Sequence, residues 1–242
     1  MPSLNIPPPE ERGYVDHSIL VTTDWLAEHL DDPSVRILDV DSVVEYGRAH
    51  IPNSLPVTDH YYKSADKNRT HIQGPEEFSK TMSNLGISDD TLVVGYDSQG
   101  CLLSFRLAWA LHYYGHNKVK ALDGGLPKWL AEGRRLTRSR PVFASGKFTA
   151  KAGDRSIFAS RDDVMAAIGR SDSVLLDMRA DDEWDGTNKR DNVRGGHLQG
   201  AVHLEWKQFL TAGDVPTVLP AADLRRKLIA AGVTPDKKMT TY

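Results

Sequence analysis

Hydrophobic and polar positions along this chain fall into two alternating rhythms. Short apolar runs, Val35 to Val40, Leu92 to Tyr96, Val119 to Leu122 and Val174 to Asp177, are each bounded by Gly, Pro, Ser or Asp. Continuous runs of that length between turn residues read as buried strands. Longer stretches with helical spacing lie between them: Thr23 to Leu30, Pro75 to Leu85, Cys101 to Tyr114, Leu126 to Glu132, a helix opened by Ser160-Arg161-Asp162-Asp163-Val164, and Ala221 to Ala231. Gly86, Gly115, Gly133 and Gly232 follow these stretches where a left-handed C-terminal cap is wanted. Residues 45–54, 58–74 and 179–200 read as loops, and Lys237 to Tyr242 as a final short strand. Strands alternating with helices through short turns predict an α/β fold with mostly parallel sheets flanked by helices.

The pattern occurs twice. Gly86 and Gly232 lie 146 residues apart, as do Tyr96 and Tyr242, while His50 and His197 lie 147 apart. Asp39 and Asp177 are 138 apart, and a longer loop between Trp184 and Gly196 absorbs the difference. A repeat of this length means two copies of one domain. The expected organisation is an extended N-terminal segment 1–16, a first domain 17–135, a linker 136–152 that includes the first strand of the second copy, and a second domain 153–242.

Composition narrows the functional classes. A length of 242 residues with 40% hydrophobic content suits two soluble domains. A net charge of −3 offers no bulk attraction for nucleic acid. No apolar run approaches the ~18–20 residues of a membrane span, and the first residues lack a signal-peptide pattern, so a cytoplasmic setting is expected. Cys101 is the one cysteine, which excludes an internal disulfide and a cysteine-built zinc site. His112 and His116 have the i,i+4 spacing of a metal pair but no third ligand beside them. Packing and a helix C-terminus that favours cationic histidine explain them, and no metal or cofactor is expected.

Local motifs carry a more specific message. Leu38-Asp39-Val40-Asp41 and Leu176-Asp177-Met178-Arg179 end a strand in each copy. His50-Ile51-Pro52-Asn53-Ser54 and Gly196-His197-Leu198-Gln199-Gly200-Ala201 follow them, and Leu122-Asp123-Gly124-Gly125-Leu126-Pro127-Lys128-Trp129 closes the first copy. In this order and repetition they resemble the tandem two-domain form of the rhodanese sulfurtransferases. The resemblance implies two rhodanese-like domains, the first silent. The second would carry a cysteine at the end of its fourth strand, in a loop leading into a helix. That position is the one immediately after Tyr242, so no catalytic residue is expected within the chain as given. The polypeptide is expected to continue with a cysteine, and the 242-residue form to be inactive, with an incomplete second sheet. Backbone amides converging on such a cysteine lower its pKa and stabilise a persulfide. The implied reaction moves sulfane sulfur from thiosulfate or 3-mercaptopyruvate to cyanide or a thiol by double displacement, in a monomer with small-molecule substrates. The alternative is a non-catalytic rhodanese-like binding or regulatory module.

Individual residues are read against that background. Asp97 takes the catalytic position of the first copy, where a carboxylate can cap the following helix. Cys101 falls four residues further on, inside that helix, and reads as a small buried hydrophobe in preference to a reactive thiol. Arg179 can bind an anionic sulfur donor or pair with Asp177 or Glu183. Arg190 and Arg194 are further donor-binding candidates or plain solvated charge. Asp177 and His197 read as loop-fixing groups, as do their counterparts Asp39 and His50.

Overall fold

The computed structural model describes residues 4, 6–57, 61 and 72–242. The first residues of the extended N-terminal segment and most of the 58–74 loop lie outside the described residues. Contacts divide the chain into two units, Met1–Arg155 with Ala212–Thr217, and Ser156–Thr211 with Val218–Tyr242. No described helix is long and apolar enough to cross a membrane.

Unit 1 is built on a five-stranded sheet. Its elements run β1 (Leu20–Val21), α1 (Thr23–Glu28), β2 (Val35–Asp39), α2 (Val43–Arg48), β3 (Ser54–Pro56), α3 (Pro75–Asn84), β4 (Leu92–Tyr96), α4 (Leu102–Tyr113), β5 (Val119–Leu122) and α5 (Gly125–Ala131). The strand order is β1-β5-β4-β2-β3, and every pairing is parallel. Side-chain alternation splits the core between the two faces. Ile37, Val94 and Tyr96 pack with Leu26 and Trp129 on one side. Leu38 and Val93 pack with Phe78, Met82, Leu107 and Leu111 on the other. The strands are therefore covered on both faces, as their continuous apolar runs require.

Unit 2 repeats part of this plan. It contains α6 (Arg161–Ala167), β6 (Ser173–Asp177), α7 (Asp181–Asp185), β7 (Val202–His203), α8 (Ala221–Ala230) and β8 (Lys238–Thr241). Its sheet has the order β7-β6-β8, again parallel. These strands correspond to β3, β2 and β4. The core is small: Val174, Leu176, Leu204 and Val233, with Leu228 of α8 packed against them. Neither α6 nor α8 contains a fully buried residue.

Several elements differ from the sequence reading. The loops 45–54 and 179–200 each contain a short helix, α2 and α7. α4 starts at Leu102, with Cys101 at its cap in the left-handed region (φ 73°), so Cys101 is not inside the helix. The stretch 136–152 contains no strand and belongs to unit 1. Its amides are spoken for: Gly146 N donates to the Ser83 carbonyl, Ala150 N to Ser79 Oγ and Lys151 N to the Tyr114 carbonyl. Phe148 is buried in the core against Phe78 and His116. This apolar anchor draws the segment onto unit 1, where a strand would have led away. His112 and His116 both have lowered pKa values, because burial disfavours the charged ring. The favourable effect of the helix terminus on cationic histidine is therefore outweighed.

Candidate functional site

In parallel α/β sheets ligands bind beyond the carboxyl ends of the strands. In unit 2 that rim is organised around Asp177, the last residue of β6, whose side chain is fully buried. Its Oδ1 accepts from the Arg179 amide (3.0 Å) and Arg179 Nε (2.9 Å), and its Oδ2 accepts from Arg179 Nη2 (2.5 Å). Arg179 Nη2 also donates to the Gly196 carbonyl at 3.0 Å. Burial raises the Asp177 pKa, but the Arg179 guanidinium and amide and the Tyr242 hydroxyl outweigh it, so the net shift is downward. Tyr242, next after β8, accepts at its hydroxyl from the Leu198 amide (3.0 Å). The Arg179 guanidinium lies 5.2 Å from the centre of the Tyr242 ring.

Around this clamp sits an aromatic stack. His197 lies face to face with Trp184 (centroids 3.5 Å apart), and its Nδ1 is 2.9 Å from the Trp184 carbonyl. His203 stacks on Trp184 at 4.8 Å, and its Nε2 is 2.9 Å from the Arg179 carbonyl. Arg190 is drawn to Glu183 instead (2.8 Å) and is otherwise exposed, as is Arg194. Thus β6, the loop after it and Tyr242 bring together Arg179, Asp177 and His197. Arg190 and Arg194 lie on the outer part of the loop.

Unit 1 has the same framework with different charges. The Tyr96 hydroxyl donates to Asp39 Oδ2 (2.6 Å) and accepts from the Ile51 amide (3.2 Å). His50 stacks on Tyr46 at 3.7 Å, and its Nδ1 is 2.9 Å from the Tyr46 carbonyl. Each contact matches one in unit 2, at the offsets read from the sequence. Asp41, however, stands where unit 2 has Arg179. Its amide donates to Asp39 Oδ1 (3.0 Å), and its own Oδ1 accepts from Ser98 Oγ (3.0 Å). Its Oδ2 is buried without a hydrogen-bond partner among the described residues. Burial and the neighbouring Asp39 charge push Asp41 up to about 6. Asp39, lacking an arginine partner, is also raised, chiefly by burial.

Beyond Tyr96 the chain wraps around the Asp97 carboxylate. Oδ1 accepts from the Gln99 and Cys101 amides (2.8 and 3.0 Å), and Oδ2 accepts from the Ser104 amide and hydroxyl (2.8 and 2.7 Å). The loop after β4 is thus an anion cradle filled by its own side chain. Gly125 closes it from below. A Cβ at Gly125 would lie 2.2 Å from the Asp97 carbonyl, which accepts from the Leu126 amide at 2.9 Å. Cys101 is fully buried and donates its thiol to the Leu122 carbonyl (3.2 Å). Burial, then the charges of Asp97 and Asp123, push the thiol pKa well above its ordinary value. A thiol so placed is a poor nucleophile.

Sequence reasoning missed two groups. Arg12 makes a buried two-pronged pair with Asp123 (2.9 and 2.5 Å), closing the carboxyl end of β5 with the N-terminal segment. Its partner is 111 residues away, so no local pattern marks it. Asp41 could have been found by aligning it with Arg179, since both stand two residues after the strand-end aspartate.

The rhodanese-like domain profile matches residues 22–132. The sulfur carrier protein TtuD of Thermus thermophilus is 35% identical over 241 residues, covering 95% of this chain and 84% of that protein. A putative thiosulfate sulfurtransferase of Saccharopolyspora erythraea is 32% identical, covering 93% of this chain and 81% of its own length. Among solved structures, the 3-mercaptopyruvate sulfotransferase SseA of Escherichia coli superposes with a TM-score of 0.81 at 26% identity, covering 92% of this chain and 87% of that one.

Proposed function

This chain belongs to the rhodanese family, and from that premise we propose that it acts as a sulfurtransferase working through a cysteine persulfide. The thiolate is supplied by the residue next after Tyr242. The single observation that carries this reading is the anion cradle after β4. The Tyr–Asp–amide clamp that launches that loop in unit 1 recurs at Tyr242, Asp177 and Leu198 in unit 2. A loop of the same shape there would offer converging amides to a bound anion. Where unit 1 fills its cradle with Asp97, unit 2 would fill it with a thiolate and then a persulfide.

The steps balance without a cofactor. The thiolate attacks the outer sulfur of thiosulfate, the S–S bond breaks, and sulfite leaves with its electron pair. A nucleophilic acceptor, cyanide or a thiolate, then attacks the terminal sulfur of the persulfide and releases the thiolate. With 3-mercaptopyruvate as donor the thiolate would attack its sulfur, the C–S bond would break with its electron pair going to carbon, and the pyruvate enolate released would take up the donor thiol's proton to give pyruvate. Arg179 suits donor binding as well as its pairing with Asp177. Its Nε and Nη2 are held by Asp177 and Gly196, which orient the guanidinium and leave the Nη1 protons for an oxyanion. Relatives are named for carrying sulfur and for thiosulfate sulfur transfer, which supports the same chemistry.

The test is a thiosulfate-to-cyanide assay on a form extended past Tyr242 and on the chain ending there. Turnover in the extended form, its loss on replacing the cysteine after Tyr242, and none in the shorter form are expected. Turnover in the shorter form that disappears with Cys101→Ala would move the site to unit 1 and sink the proposal. An extended form without a cysteine there, and without turnover, would point to a binding module.

A further inference from the structure

At the amino end of the unit 1 sheet, remote from the carboxyl-end rim, lies a pocket of about 290 Å³. It is lined by Ser34 and Arg36 at the start of β2, Ser88, Asp90 and Thr91 before β4, and Ser145 of the segment that docks along the unit. Arg36 is the unusual member, being only 8% exposed. Its guanidinium is stacked over the Phe143 ring at 3.6 Å. Its one described acceptor is the Gly86 carbonyl, reached from Nε and Nη2 at 3.4 and 3.3 Å. No carboxylate within salt-bridge distance of it is found among the described residues. Arginine stays charged even when buried, so this cation is desolvated without a counter-charge.

The hydroxyls around it are set up to donate. Thr91 Oγ1 accepts from the Ser88 amide (2.9 Å), and Ser88 Oγ accepts from the Lys147 amide (2.9 Å). Both oxygens use a lone pair on a backbone N–H, which leaves their own protons for another acceptor. Lys118 Nζ, bound to the Asp90 carbonyl at 3.1 Å, brings a positive charge against one of the lining residues. Against these stands the exposed Asp90 carboxylate. Gly146, which also lines the pocket, is fixed in place, since a Cβ there would meet the Ile87 carbonyl at 2.1 Å.

We propose that this pocket binds a small oxyanion of the sulfate, thiosulfate or phosphate type, held by the Arg36 guanidinium and the Ser88 and Thr91 hydroxyls. The anion supplies the charge that Arg36 lacks. The site lies at the opposite end of the unit 1 strands from that unit's carboxyl-end rim and does not depend on the sulfurtransferase reading.

Titration of the ¹⁵N-labelled chain with sodium sulfate, thiosulfate or phosphate, against chloride at matched ionic strength, tests it. Saturating shifts of the Arg36 Nε and of the Ser88, Thr91 and Gly146 amides are expected with at least one oxyanion and not with chloride. The order of the three affinities tells a sulfur-donor store from a general oxyanion site. Arg36→Gln should weaken binding by about tenfold or more, the scale of one charge-assisted contact. Thr91→Val should weaken it severalfold, and Asp90→Asn should tighten it, a pair that decides the matter if the Arg36 variant does not fold. Shifts that never saturate, that centre elsewhere, or that chloride reproduces would overturn the proposal. So would a folded Arg36→Gln protein of unchanged affinity.

Discussion

Asp41 and Arg179 occupy the same place in the repeat and reverse its charge, and pH dependence should reveal it. Asp41 is raised to about 6, so the folded state holds its proton more tightly than the unfolded state. Its stabilising effect is complete below the ordinary carboxylate range and is lost as pH rises through about 6. Asp41→Asn keeps an acceptor for Ser98 and has no charge to bury. It should therefore match the parent near pH 3 and be more stable at pH 7.5, by about 1–3 kcal/mol. Asp177 is lowered, so its contribution is present at neutral pH and fades as pH falls through the carboxylate range. Asp177→Asn should cost about 1.5–3 kcal/mol at pH 7 and less in acid. Urea unfolding across a pH series checks both, and parallel profiles for the two variants would contradict the account. Cys101 offers a third residue-level test: its buried, hydrogen-bonded thiol should react with a disulfide reagent only as fast as unit 1 opens. Fast labelling of the folded protein would show a reactive thiol instead.

At the scale of elements, the strands and long helices were legible because burial on both sheet faces writes continuous apolar runs, and glycines mark the helix ends. α2 and α7 were not, since five or six residues with polar faces look like a loop until His50 and His197 stack on them. β1 has two residues, too few for any period. The 136–152 stretch has low apolar density, and its attachment rests on Phe148 and on backbone bonds to distant partners. That attachment has its own test. Gly146→Ala places a methyl 2.1 Å from the Ile87 carbonyl, so the segment must shift. A loss of about 2 kcal/mol or more, read from urea unfolding, is expected, with faster proteolysis after residue 140. An unchanged protein would mean that the segment adds little to unit 1. The rim of the candidate site was partly legible in the same way. Counting from Tyr96 and Tyr242 locates Asp97, and the strand-end repeat with Asp39 locates Asp177, whereas Arg12 is visible only once the fold carries it to Asp123.

The molecule as a whole is a duplicated rhodanese domain whose copies have diverged in charge. Unit 1 closes its own cradle with Asp97, covers β5 with Arg12 and buries its lone thiol. Unit 2 keeps the tyrosine clamp and carries an oriented arginine at its rim. The same framework thus carries opposite charges at matching places in the two copies. The most direct measurement of that division is peptide-level mass spectrometry of the form extended past Tyr242 after treatment with thiosulfate. The account predicts one added sulfur atom on the cysteine following Tyr242, removed by cyanide as thiocyanate, with Cys101 unmodified. Sulfur found on Cys101, or on no cysteine while turnover proceeds, would contradict it.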